Sequence, residues 1–509
     1  MAFITSLGFL PASEAKLVQI IHTNDLHSFF AGSRTGLGGY ARAKTIIDQL
    51  KTEARDKGIP SLYLDGGDFG EGSTFYFSNK GVDALRGLDY LGVDVAVLGN
   101  HDFMLGSGDL KRQIKEAKLK AKIISANVAG KKILGLADVM PDYVDYNLSG
   151  LKLRVFGLTT SEIHYQYPFR PLSYIASSHN TGIKQAQKAV KDNVDYTIAL
   201  THIGLDKDIR LVEKSRTIDL VVGGHDHIKL YKPAYTTNLA GRSIPILQAG
   251  SNSLYVGSLL VDVKPKGESI VVDYRMYDIN ENVAEDRDVK KFVDEAYINR
   301  EQYFNRRWDE IIGFSEFPLS GSVNGQQTEF RTCWSRHIAR LTRQKAKADL
   351  GLQFDVFQGE EIPAGTITYG DMIDNFPHFR KWNDRGWKIS KGLVSGFLLK
   401  KMIEAMASSE IALQVTIDGM ESKINDKVKV PYDLTKHRPE TALVNGQEIS
   451  NLRYYTVGLP SEVPYGMLKL FNIFGYVILN NLYNVPNGEY WPALEEYIKK
   501  NSPLRCLGK

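Results

Sequence analysis

The run Ile218-Asp219-Leu220-Val221-Val222 passes through two glycines into His225-Asp226-His227, and four earlier apolar runs close in a similar way. In chain order their ends read Thr23-Asn24-Asp25-Leu26-His27, Asp65-Gly66-Gly67-Asp68, Gly99-Asn100-His101-Asp102 and Thr201-His202. A short apolar run bounded by turn residues is consistent with a buried strand. Strand and helix patterns that alternate point to a layered α/β unit, and open α/β sheets bind ligands at the carboxyl ends of their strands. The five clusters are therefore expected to meet in space.

Their chemistry is that of a metal site. Along an extended chain, side chains two residues apart point to the same side, so Asp25 with His27, and His225 with His227, are each expected to aim two ligands into one cavity. Carboxylate, amide oxygen and imidazole without thiolate suit Zn, Mn or Fe, and the sequence does not choose among them. A lone Asp-x-His is more often a turn than a ligand pair; five clusters together reverse that reading. Of eleven histidines, five (His27, His101, His202, His225 and His227) fall inside the clusters, whereas His22, His164, His179, His337, His378 and His437 lack such company. Gly36-Leu37-Gly38-Gly39, ahead of Tyr40-Ala41-Arg42, is followed by no Gly-Lys-Ser/Thr and reads as a packing turn, not a phosphate loop.

At 509 residues the chain exceeds the size at which a single core usually stops growing, so two domains are expected. Hydrophobic content of 43% with 24% charge is ordinary for a folded globular chain, and no apolar run approaches a membrane span. A net charge of +4 with no basic tract argues against polymeric nucleic acid as a partner. Residues 1–15 end in Ser13-Glu14-Ala15, small residues of the kind a signal peptidase prefers, although no basic segment precedes the apolar stretch from Ala2 to Leu10. They are read as a possible truncated signal segment. Cys333 and Cys506 permit one disulfide and give no framework signature.

These clusters resemble those of the calcineurin-like metallophosphoesterases, in the subgroup of the 5′-nucleotidases. The resemblance implies a four-layer αββα sandwich over residues 16–285, in an α/β (α+β) protein whose second α/β domain binds substrate. It implies that Asp25, His27, Asp68 and His227 surround one divalent metal and that Asp68, Asn100, His202 and His225 surround the other, Asp68 bridging. His101 would stand over the phosphoryl group, with Asp102 orienting its imidazole. Two metals about 3.5–4 Å apart lower the pKa of a water they share and neutralise phosphate charge. A nucleotide is the implied substrate and 5′-nucleotidase the implied activity. The alternatives are a 2′,3′-cyclic-nucleotide phosphodiesterase/3′-nucleotidase, a nucleotide-sugar hydrolase, and a catalytically degenerate nucleotide-binding protein. The family also implies a periplasmic or secreted location.

The second half resembles the family less closely. A charged and aromatic segment, 286–312, with Val289, Phe292, Val293 and Ala296 near helical spacing, is expected to be a linker helix, followed by a substrate domain over 313–509. Ile362 to Asp371 resembles the signature of the 5′-nucleotidase C-terminal domain. Ahead of it, family members carry an arginine that binds phosphate, where this chain reads Phe357-Gln358-Gly359-Glu360-Glu361. Family members also clamp the base between two aromatic rings. His378, Phe379 and Tyr465 are the candidates here, and stacking would contribute about 1–3 kcal/mol per base.

Overall fold

Alternate residues of the first unit's strands face a single interior, and this period of two builds its core. The computed structural model describes residues 16–507 except 34–35, 162–173, 266–267, 320–321, 324–325, 328–330, 356–357, 360–361, 380, 408–414, 426–427, 435, 438 and 462–481. The possible signal segment and Tyr465 thus lie outside the described residues. The chain divides into two compact units: the first comprises residues up to Glu71 and Gly81–Ala296, the second Gly72–Lys80 and Tyr297–Lys509. The expected linker is a helix, Arg287–Phe304, and the division falls inside it. That Gly72–Lys80 belongs with the C-terminal half had no signal in the sequence.

The first unit's strands are β1 (Leu17–Thr23), β2 (Ser61–Asp65), β3 (Val95–Val97), β4 (Lys122–Ile124), β5 (Tyr143–Leu148), β6 (Leu151–Thr159), β7 (Tyr196–His202), β8 (Leu220–Val222), β9 (Ala234–Thr237), β10 (Ser243–Leu247), β11 (Tyr255–Asp262) and β12 (Ile270–Asp278). They form two six-stranded sheets, ordered β12-β11-β1-β2-β3-β4 and β5-β6-β7-β8-β10-β9. β1 to β4 pair in parallel, as do β6, β7, β8 and β10, while antiparallel strands add to the β1 side of the first sheet and to both sides of the second. Val18, Ile20, Leu62, Leu64, Val95 and Val97 from one sheet pack against Leu153, Val155, Ile198, Leu200, Leu220 and Val222 from the other. Each fully buried side chain of this size stabilises the fold by about 1.5–3 kcal/mol.

The opposite face of the second sheet carries Phe156, Leu158, Ala199, Val221 and Ile246, which pack with Ala186, Leu211 and Val212 of the helices Ser178–Lys191 and Leu205–Glu213. On the first sheet the helix Tyr40–Asp56 buries Ala43, Ile46, Ile47 and Leu50. The expected four layers are therefore present, and Gly39 at the start of that helix is a packing turn: its φ of 95° and its approach to Ala31 exclude a side chain.

The second unit holds a five-stranded sheet ordered Val415–Asp418, Leu350–Phe354, Tyr454–Pro460, Lys388–Ser395, Tyr483–Glu489, and a four-stranded one around Met420–Asn425. Leu352, Phe354, Val394, Val457 and Leu459 of the larger sheet pack with Leu399, Met402, Ile403 and Met406 of the helix Gly396–Ala407. A disulfide joins Cys333, in the helix Arg331–Ala346, to Cys506. The family-signature segment forms a strand, Gly365–Thr368, and a helix, Tyr369–Asn375, whose start carries a complete capping box between Thr368 and Asp371.

Candidate active site

β1, β2, β3, β7 and β8 all end at the same edge of the two-sheet core, and the residues that follow them converge. Asp25, His27, Asp68, His225 and His227 all take positive φ, between 49° and 91°. Such a backbone is uncommon for residues other than glycine, and its concentration in five of the seven expected ligands marks strain held at a functional site. It also corrects the reason given for their convergence. Asp25 and His27 lie beyond the end of β1, so a left-handed turn and not strand alternation brings them together. His225 and His227 fall in different donor groups: His227 groups with Asp25 and His27, and His225 with Asp68 and His202. Gly99 makes the closeness possible, since a Cβ there would stand 2.1 Å from Asp68 Oδ1.

The nitrogen and oxygen atoms of each group lie within 4.8 Å of one another. His227 Nε2 is 3.3 Å from Asp25 Oδ1 and 3.1 Å from His27 Nε2, and His202 Nε2 is 2.9 Å from Asp68 Oδ2. The same Asp68 oxygen is 3.9 Å from His27 Nε2, so this carboxylate stands between the two groups. The tautomers decide what such contacts are for. His27 Nδ1 donates to the Glu71 carbonyl at 2.6 Å and His202 Nδ1 to the Gly66 carbonyl at 2.7 Å, and a carbonyl can only accept. In the neutral rings each Nε2 is then a lone pair aimed into the cluster, and two acceptors that close need a cation between them. Asn100 Oδ1 is buried without a hydrogen-bond partner, and His202 Nε2 faces Asp68 Oδ2. A divalent cation in each group would satisfy these atoms, and a histidine that donates its other nitrogen to a carbonyl is the usual arrangement of a metal ligand. The donor set thus fits two metals.

Charge in the site is organised by Asp68. Burial opposes its ionisation, but His202 and His101 beside it hold its pKa well below the carboxylate range. Burial likewise opposes charge on His202, yet Asp68 and Asp25 outweigh it and push the imidazole up to about 10. His27 is brought down to about 4, chiefly by burial. The field that holds a proton on His202 is also one that attracts a metal cation, whose binding displaces the proton.

His101 follows Asn100 and leans on the site: its backbone N–H donates to Asp68 Oδ1 at 2.7 Å, and its side chain is 32% exposed. Burial opposes its charge, but Asp68 and Glu71 push it up to about 9. The expected partnership with Asp102 is corrected. Asp102 accepts three backbone N–H groups, from Asp68 at 3.0 Å, Gly70 at 2.8 Å and Gly99 at 2.7 Å. His101 and Asp102 are consecutive in a 3₁₀ turn, where neighbouring side chains diverge. The imidazole's partner is Glu71, whose Oε2 accepts from Nδ1 at 2.5 Å. Sequence reasoning missed Glu71; its one signal was an acidic residue in the otherwise uncharged stretch Phe69 to Asn79 that follows Asp68.

The expected base-binding residues behave differently from one another. Phe379 is 6% exposed, with its ring 4.5 Å from Phe77 and 5.1 Å from Trp382. It is a core residue of the second unit and not an open platform. His378 is half-buried and stacks on Trp387 at 4.7 Å and 21°. At the position of the missing arginine, Gln358 lies among Ser335 and Asp355, and Gly359 bonds to the Asn375 carbonyl.

Residues 18–229 match the sequence model of the calcineurin-like phosphoesterases. The snake venom 5′-nucleotidase of Gloydius brevicauda is 30% identical over 339 residues, which are 62% of this chain and 56% of the venom protein. The 5′-nucleotidase of Mus musculus is 28% identical over 64% of this chain and 58% of its own. The chain therefore spans less than two thirds of the length of these relatives. Among solved structures, a 5′-nucleotidase precursor from Thermus thermophilus matches with a TM-score of 0.77 at 19% identity, over 97% of this chain and 98% of that one. Residues 18–229 of the first unit are thus similar to the calcineurin-like phosphoesterases, and the chain as a whole shares the fold of the Thermus protein.

Proposed function

We propose that this chain is a metal-dependent phosphomonoester hydrolase of nucleotides, a 5′-nucleotidase that releases nucleoside and phosphate. The observation that carries the reading is the pair of donor groups on either side of Asp68, with the Oδ1 of Asn100 buried and unpartnered. Asp25, His27, Asp68 and His227 would hold one divalent cation; Asp68, Asn100, His202 and His225 the other. When bound, such a pair neutralises phosphate charge and makes water nucleophilic near neutral pH. His101 is placed to donate a hydrogen bond or a proton to the phosphoryl group or the leaving oxygen. The 5′-nucleotidases among its relatives support the choice of nucleotide.

The test is a phosphate-release screen across 5′- and 3′-nucleotides, 2′,3′-cyclic nucleotides, nucleotide sugars and an aryl phosphate, each with Mn, Zn, Co and Mg. Preferential hydrolysis of 5′-nucleotides is the expected result. Preference for a cyclic nucleotide or nucleotide sugar would keep the metal site and change the substrate, the second reading favoured by the absent arginine. No hydrolysis even of the aryl phosphate after metal loading would reduce the protein to a nucleotide binder. We further infer a periplasmic or secreted location. It is supported by the Cys333–Cys506 disulfide, since such bonds persist in oxidising compartments. Among the described residues no helix is long and apolar enough to cross a membrane.

A further inference from the structure

We propose that Glu71 is the positioning residue for His101, and that this one residue sets the proton arrangement of two histidines in the site. The inference rests on the phosphoesterase reading of the site and assigns it a component that neither the motif clusters nor the family resemblance supplied.

Two bonds carry it. The Glu71 carboxylate, 7% exposed, accepts from His101 Nδ1 at 2.5 Å. The carbonyl of the same residue accepts from His27 Nδ1 at 2.6 Å. Both are acceptors, so both imidazoles must carry their proton on Nδ1 and present Nε2 to the site. For His27 this turns a lone pair toward Asp25, Asp68 and His227. For His101, which lies edge-on to His27 with ring centroids 5.0 Å apart, it leaves Nε2 as the nitrogen that can meet a phosphoryl oxygen. The neighbouring carboxylates are engaged elsewhere: Asp102 is committed to the N–H groups of Asp68, Gly70 and Gly99, and Asp68 Oδ1 takes the backbone N–H of His101 and not its ring. Glu71 stands three residues beyond Asp68, so the turn that delivers the shared carboxylate also delivers the carboxylate that orients the ring.

The two bonds separate cleanly under mutation, because one uses the side chain and the other the main chain. Glu71→Ala removes the acceptor of His101 but keeps the carbonyl that holds His27. The expected outcome is two metals per chain by elemental analysis and a 10- to 100-fold fall in kcat on an aryl phosphate, the range for loss of such a supporting bond. Glu71→Gln keeps an acceptor oxygen and should recover most of that loss. In a His101→Ala background the same Glu71→Ala change should cost less than about twofold, because residues acting as a unit are not additive. Nitrogen NMR of histidine-labelled protein, recorded at a pH where the His101 ring is neutral, gives a readout independent of turnover: His101 should be an Nδ1–H tautomer in the wild type and lose that preference in Glu71→Ala.

Equal losses with and without His101, loss of metal from Glu71→Ala, or an unchanged His101 tautomer would each overturn the proposal. Circular dichroism of Glu71→Gln, which preserves shape, guards against a folding artefact. If the wild type hydrolyses none of the screened phosphoesters the functional reading fails, while the tautomer measurement still decides the role of Glu71.

Discussion

The strand ends of the first unit and the aromatic cluster of the second are both dense in chemically distinctive side chains, yet only the first is arranged for chemistry. At the strand ends ligand atoms converge on either side of Asp68, those of Asp25, His27 and His227 in one group and those of His202 and His225 in the other, and Asn100 Oδ1 is buried without a hydrogen-bond partner. Leaving Asn100 Oδ1 unsatisfied costs free energy that a cation held by the adjoining groups would offset. In the second unit the rings of Phe77, Phe304, Phe379, Trp382 and Trp491 complete one another, with centroids 4.5–6.3 Å apart. Aromatic residues at family positions do not make a binding platform when their faces are spent on packing. Ligand atoms that converge on a shared carboxylate, not unusual residue types, distinguish this site from a core.

The sharpest way to break this contrast is to remove the carboxylate shared by the two groups. Asp68→Ala should drop metal content below two per chain and lower activity by at least about 10³-fold, as expected where cations supply several kcal/mol of charge stabilisation. Elemental analysis showing two metals retained would detach Asp68 from both clusters. Phe379→Ala tests the other side. As a core residue it should cost about 3–5 kcal/mol of stability in denaturant unfolding. Any loss of turnover at a temperature where the variant is folded should be equal for nucleotide and aryl phosphate; a nucleotide-selective loss with unchanged stability would restore it as a stacking platform.

What could be read in the sequence followed from local rules. Short apolar runs bounded by turn residues, such as those that hold Val18, Ile20, Leu62 and Leu64, announced buried strands, and the ligand residues stood where those strands stop. The route by which they converge was hidden, because nothing local announces that Asp25, His27, Asp68, His225 and His227 sit at positive φ. Adjacency also misled. Asp102 follows His101 in the chain, yet the turn points them apart, and the partner is Glu71, thirty residues earlier. Likewise the pairing of Cys333 with Cys506, 173 residues apart, and the membership of Gly72–Lys80 in the second unit depend on tertiary packing that no window of sequence contains.

Asp102 therefore becomes a test of structure more than of catalysis. Asp102→Asn replaces one of the oxygens that receive the N–H groups of Asp68, Gly70 and Gly99 with a donor. A buried mismatch of this kind should cost about 1–3 kcal/mol. Thermal unfolding should register it, and the orientation of His101 should be unaffected by NMR; a displaced His101 tautomer would return Asp102 to the role of orienting partner.

The smallest expected effect belongs to His378, the one base-binding candidate that the described residues leave half-exposed. Its ring already stacks on Trp387 and meets Phe376 edge-on at 5.1 Å, contacts worth about 0.5–1.5 kcal/mol. His378→Ala should therefore reduce stability by about that amount. If the remaining exposed edge also meets the nucleoside, kcat/KM on a 5′-nucleotide should fall by no more than about tenfold, below the full 1–3 kcal/mol range of a stacked base at its upper end. An aryl phosphate, which lacks a base, should be hydrolysed as before. Equal losses on the two substrates would place His378 with Phe379 in the packed interior. The contrast between a region completed by its ligand and one completed by itself would then hold without exception for the residues tested.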